Sequence, residues 1–133
     1  MNGLLNSVSI TPLYAALLGL VLLVLSGRVI ASVRAKGVGI GDGGDADNLV
    51  IIRSHANFIE YVPMILVLLA FAEAGGASDA WIHGLGGTLL VGRILHPFGM
   101  STSPDPKPAR FIGTVSTLLV LLITSILLLT QQM

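Results

Sequence analysis

The sequence predicts an all-α fold, an integral membrane four-helix bundle forming a single domain over residues 1–133. Three observations carry this. First, 53% of residues are hydrophobic, 11% are charged and the mean hydropathy is +0.89, which is too apolar for a soluble domain. Second, apolar stretches long enough to span a bilayer as helices lie at about 9–34, 48–74, 79–98 and 109–129. Third, the connections between them are short, as antiparallel neighbours in a bundle require.

The first span opens at Thr11-Pro12, a pair suited to a helix start with Thr11 as N-cap and Pro12 in the first turn. Its length and its lack of a basic start do not fit a cleavable signal. Arg28, Arg34 and Lys36 gather at its far end. The run GVGIGDGGDADN then reads as a flexible loop, with Asp45, Asp47 or Asn48 able to cap the second helix. That helix carries Pro63, which lacks an N–H and crowds the carbonyl of Ile59, so a kink or loosened turn is expected there. Gly75-Gly76 ends it, and Ser78 or Asp79 caps the third. The third span is glycine-rich (Gly84, Gly86, Gly87, Gly92), carries Arg93 and His96, and is stopped or bent by Pro97 and Gly99. The loop STSPDPKPAR holds three prolines and cannot be regular helix. The last span is almost purely apolar. Gly84, Gly87 and Thr88, and Ala109 with Gly113, are small enough to permit close helix approach.

Charge is distributed unevenly between the two ends. Arg28, Arg34, Lys36, Arg53, Arg93, Lys107 and Arg110 fall at one end of the predicted bundle, Glu73 and Asp79 at the other. The positive-inside rule then places both termini outside and the first and third loops in the cytoplasm. Formal net charge is zero, so there is no electrostatic footprint for nucleic acid. With no cysteine, any thiol chemistry must use a thiol brought in by a ligand. His55, His83 and His96 share no ligand spacing, so no metal site is expected. Residues 37–44 lack the lysine of a phosphate-binding loop, and Asp42, Asp45 and Asp47 lack the distal glutamate of a calcium loop. No inverted repeat or broken-helix pair suggests a transporter.

The informative stretch is the start of the second helix, RSHANFIEYVP. Burying an ionisable group at membrane depth costs roughly 2.5–3.5 kcal/mol on insertion scales. Yet Arg53, Asn57 and Glu60 fall within about 60° of one another around the helix, with Tyr61 at their edge and His55 on the opposite side. One reading is a polar seam between helices, with Arg53 paired to Glu60 or reaching the headgroups. The other is a pocket for a small zwitterionic ligand, with arginine holding a carboxylate, glutamate an ammonium and asparagine an amide. Arg93 and His96 share a face of the third helix, and Arg110 opens the fourth. Converging on the pocket, they would depress a bound thiol's pKa; otherwise the arginines anchor to anionic lipid and His96 is a core histidine. A polar stripe on so thin a bundle is better hidden between subunits, so an oligomer is expected.

The spacing Arg53, Asn57, Glu60-Tyr61, Pro63 resembles the signature of the MAPEG family, membrane-associated proteins in eicosanoid and glutathione metabolism. The glycine-rich first loop and the segment GRILHPFG resemble its small bacterial branch. The resemblance implies a homotrimer in the bacterial inner membrane, with glutathione bound between subunits on the cytoplasmic side. It implies that Arg34, Arg53, Asn57, Glu60, Tyr61 and His96 hold glutathione, and that Arg110 and Arg93 stabilise its thiolate. His96 and Met100 stand where eicosanoid-making members commonly have tyrosines. The activity implied is a glutathione transferase, or a peroxidase, acting on apolar electrophiles delivered from membrane lipid. The alternative is a non-catalytic membrane protein that binds lipid or glutathione, or a small scaffold subunit.

Overall fold

A computed structural model describes residues 7–102 and 107–133. Pro104 and Pro106, two of the three prolines in the predicted loop, lie outside the described residues. Four helices follow one another: α1 (Thr11–Ala35), α2 (Ala46–Ala74), α3 (Asp79–Gly99) and α4 (Pro108–Thr130), and no strand occurs among the described residues. α3 packs most closely on α4, and α1 on α2. By length and apolarity α1, α2 and α4 can each cross a bilayer; α3 is long enough but too rich in glycine and polar residues to qualify by composition. It carries the buried Arg93 and His96 side chains.

The core is a column of Leu18, Leu25, Phe58, Val62, Ile65, Leu69, Ile82, Leu89 and Val120. The outer surface is as apolar as the inside, with Leu20, Leu23, Phe98 and Phe111 all more than 60% exposed. In water such a surface would drive association; in lipid it is the expected exterior. Lipid tails are as apolar as leucine, so burial gives little net drive and close packing must hold the helices together. The glycines show where that occurs. Gly86 lies under the Tyr14 ring, and Gly92 against the Ser116 hydroxyl. A methyl group on Gly113 would fall 2.7 Å from the carbonyl oxygen of Gly92 and from Cβ of His96. Of the two glycines expected to mark helix contacts, Gly84 has open space beside it at a groove on the outer α3/α4 face, while Gly87 borders the same groove and a methyl group on it would lie 3.7 Å from the Tyr14 hydroxyl of α1. The phase of a helix that is apolar all round cannot be read from its sequence.

The helix starts are partly as expected. Asp45 caps α2, its carboxylate accepting the Asn48 amide at 2.9 Å. Ser78 caps α3 through backbone geometry alone. At α1 the N-cap is Ile10, not Thr11, and no local side chain caps it. The Glu73 carboxylate, from the end of α2, takes that role: it accepts the amides of Ser9 at 2.7 Å, Ile10 at 2.6 Å and Thr11 at 2.8 Å. α2 continues as helix through Pro63. The first loop is closed by internal bonds rather than left as a free linker. Lys36 pairs with Asp45, the Asn48 side-chain amide donates to the Asp42 carbonyl at 3.1 Å, and Ser32 bonds Asn48, which is fully buried. His55 faces α1, where Ser26 lies 3.1 Å from its ring.

Candidate functional site

Polar residues of three helices meet at one cavity at the basic end. α2 brings Arg53 and Asn57, the last turn of α3 brings His96 with Met100 just beyond it, and the first turns of α4 bring Arg110 and Thr114. The enclosed volume is 320 Å³, at the lower end of the range for small-molecule sites. Arg53 and Asn57 reach it together because they are four residues apart on one helix face. Close α3/α4 packing at Gly99 and Gly113 sets the remaining wall: any side chain on Gly99 would collide with the Arg110 backbone.

Arg93 stands behind the cavity wall. It is 1% exposed and is held by two hydrogen bonds, from Nη1 to Asn57 Oδ1 and from Nη2 to the Gly113 carbonyl, both 2.8 Å. Its Nε has no partner, and no carboxylate pairs with it among the described residues. A buried guanidinium without a counter-ion costs several kcal/mol, so these two bonds offset only part of the cost. They also orient Asn57. With Oδ1 accepting from Arg93, the Asn57 Nδ2 group is left to donate into the cavity.

The Arg110 side chain is exposed and makes no ion pair or hydrogen bond among the described residues. His96 is 3% exposed and borders the cavity, again without a hydrogen-bond partner. Thr114 was not singled out by sequence reasoning. The other α4 hydroxyls, those of Ser116, Thr117, Thr124, Ser125 and Thr130, donate to a backbone carbonyl one turn back. Thr114 makes no such bond, and it sits one turn beyond Arg110 on the same face. Only that proximity could have marked it from sequence.

The predicted stripe therefore divides. Arg53 and Asn57 line the cavity. Glu60 lies 3.7 Å from Arg53, with both side chains about half exposed, the geometry of a weak surface ion pair. Tyr61 packs against the hydrophobic core and Arg34 is exposed, and neither lines the cavity. Outside the spans, the Lys36 ammonium bonded to Asp45, together with the Asn48 amide, holds the Asp45 carboxyl below the usual carboxylate range. No group of three or more metal-ligating side chains occurs among the described residues.

The comparisons agree with this architecture. The sequence model of the MAPEG family matches residues 11–130, from the first helix to the last. The inner membrane protein YecN of Escherichia coli is 38% identical over 90 residues, covering 68% of this chain and 69% of YecN; the same protein from a second Escherichia coli strain matches equally. The family pattern spans all four helices, and the apolar exterior is the one such proteins need: the chain is an integral membrane protein belonging to the MAPEG family.

Proposed function

We propose that the chain is a membrane glutathione transferase that conjugates the glutathione thiolate to apolar electrophiles, working as a homotrimer with its site facing the cytoplasm. The observation that carries this reading is the cavity itself, where Arg53, Asn57, His96, Arg110 and Thr114 face one space with most of their bonding capacity unspent. Arg53 takes a ligand carboxylate and the Asn57 Nδ2 group a ligand carbonyl. Arg110, with the His96 ring and the Thr114 hydroxyl, surrounds the thiol and favours its ionised form. The thiol proton goes to solvent. The thiolate then attacks the electrophilic carbon of, for example, an aryl halide; the C–S bond forms and halide departs. Arg34, Glu60 and Tyr61 stand outside the cavity wall of one subunit, and they join the site where a neighbouring subunit closes it. The clustering of basic residues at this end of the bundle supports a cytoplasmic orientation.

A second reading, a protein that binds a ligand without catalysis, draws on one feature. Arg93 spends both terminal nitrogens on Asn57 and Gly113, so one of the two arginines expected to activate the thiol serves the fold. Calorimetry with glutathione in detergent tests the first reading, and absence of heat at millimolar glutathione rejects it. Arg53→Ala is expected to weaken binding by about 1–3 kcal/mol. Binding without conjugation of an aryl halide selects the second reading.

A further inference from the structure

A separate groove opens between α1 and α3. It encloses 200 Å³; Val24, Leu25, Ile94 and Phe98 form its walls, and Arg28 and Arg93 are the charged residues bordering it. Arg28 is exposed and pairs with no carboxylate among the described residues, and neither does Arg93. Arg28 precedes the end of α1 at Ala35 by seven residues, about 10 Å along the axis. A guanidinium at that depth is costly in hydrocarbon unless it reaches the headgroups or an anion meets it.

Helical spacing gives the groove a direction. Leu25, Val24 and Val21 lie three, four and seven residues before Arg28, on the same face of α1 and progressively further from the basic end. On α3, Phe98 lies level with the basic end and Ile94 one turn deeper. The groove thus has a cationic head and an apolar tail running inward, with the buried Arg93 charge behind it. We propose that it binds an acidic phospholipid, with the headgroup phosphate on Arg28 and one acyl chain lying along Val24, Leu25 and Ile94. This inference is independent of the thiol reading, because it uses neither Arg53 nor Arg110.

Native mass spectrometry of the detergent-solubilised protein, titrated with phosphatidylglycerol and with phosphatidylcholine, tests it. The wild type is expected to bind phosphatidylglycerol preferentially. Arg28→Ala should lower that affinity about tenfold, the size of one charge-assisted hydrogen bond. Val24→Trp, which fills the groove at an exposed position and leaves every charge in place, should lower binding of phosphatidylglycerol as well. Lys107→Ala, which removes an exposed charge from the same end, should leave the preference intact. Equal binding of the two lipids by the wild type overturns the proposal: Arg28 then reaches past the groove to the interface. So does an unchanged preference in Arg28→Ala or Val24→Trp, or a loss in Lys107→Ala as large as in Arg28→Ala, which would mean a diffuse surface charge.

Discussion

The two ends of the bundle use polar side chains in opposite ways. At the end holding Glu73, the carboxylate is consumed by the fold, and the two polar atoms left unpartnered there, Thr11 Oγ1 and Gln131 Oε1, are buried rather than turned to an open space. The Glu73 carboxylate closes the start of α1 through three amides, and the Gln131 side chain donates to the Ala72 carbonyl at 3.0 Å. At the basic end, Arg110, His96 and Thr114 keep their hydrogen-bonding groups free around a cavity. Both ends sink charge into a membrane protein, and both bear the desolvation cost. The difference teaches that a buried charge in a membrane helix is not in itself a sign of a ligand. What points to a ligand is bonding capacity left unspent beside an open space.

Four experiments can break or sharpen this contrast. The largest effect is expected from Glu73→Ala. Three amides lose their acceptor, which should cost about 3 kcal/mol or more in unfolding measurements in detergent, while glutathione affinity of the folded protein is unchanged. A stable Glu73→Ala variant would abolish the distinction between the ends. Arg110→Ala should show the reverse pattern: unaltered stability, little change in glutathione binding, and turnover of an aryl halide slower by about a hundredfold, the usual cost of removing a group that stabilises developing or resident negative charge. Equal rates would remove Arg110 from the chemistry.

A smaller effect separates two neighbouring hydroxyls. Thr114→Val should slow turnover about fivefold without destabilising α4, because no intrahelical bond is lost. Thr117→Val should do the opposite, since its hydroxyl donates to the Gly113 carbonyl at 2.7 Å. The smallest effect concerns pH. The Asp45 carboxyl titrates lower in the folded protein than in the unfolded chain, so its contribution to stability is present above the ordinary value of 3.8 and is lost as pH falls below it. Protection of the amides at the start of α2, relative to their intrinsic exchange rate at each pH, should therefore fall at acid pH, and the response should disappear in Asp45→Asn.

The helices, a cap for α2 among Asp45, Asp47 and Asn48, and the shared face of Arg53 and Asn57 were legible because each rests on residues within one or two turns of each other. Glu73 as the cap of α1 was not, since its partners lie more than 60 residues away in the chain. Which glycines meet another helix was also hidden. Gly84 and Gly86 are two residues apart in the same apolar run, yet Gly86 lies beneath Tyr14 and Gly84 borders the outer groove with nothing beside it. The burial of Arg93 behind the cavity was hidden as well, because sequence spacing cannot show that Asn57 and Gly113 absorb its two terminal nitrogens.

Gly99 has a consequence for the reach of one of the two arginines in the cavity. Because the backbones of residues 99 and 110 touch with only a hydrogen atom between them, the base from which Arg110 extends is fixed by the absence of a methyl group on the adjoining helix. A single added carbon there would lever the guanidinium away from its target without altering one atom of the arginine. On the proposed conjugation reading, turnover is thus expected to be as sensitive to Gly99 as to Arg110.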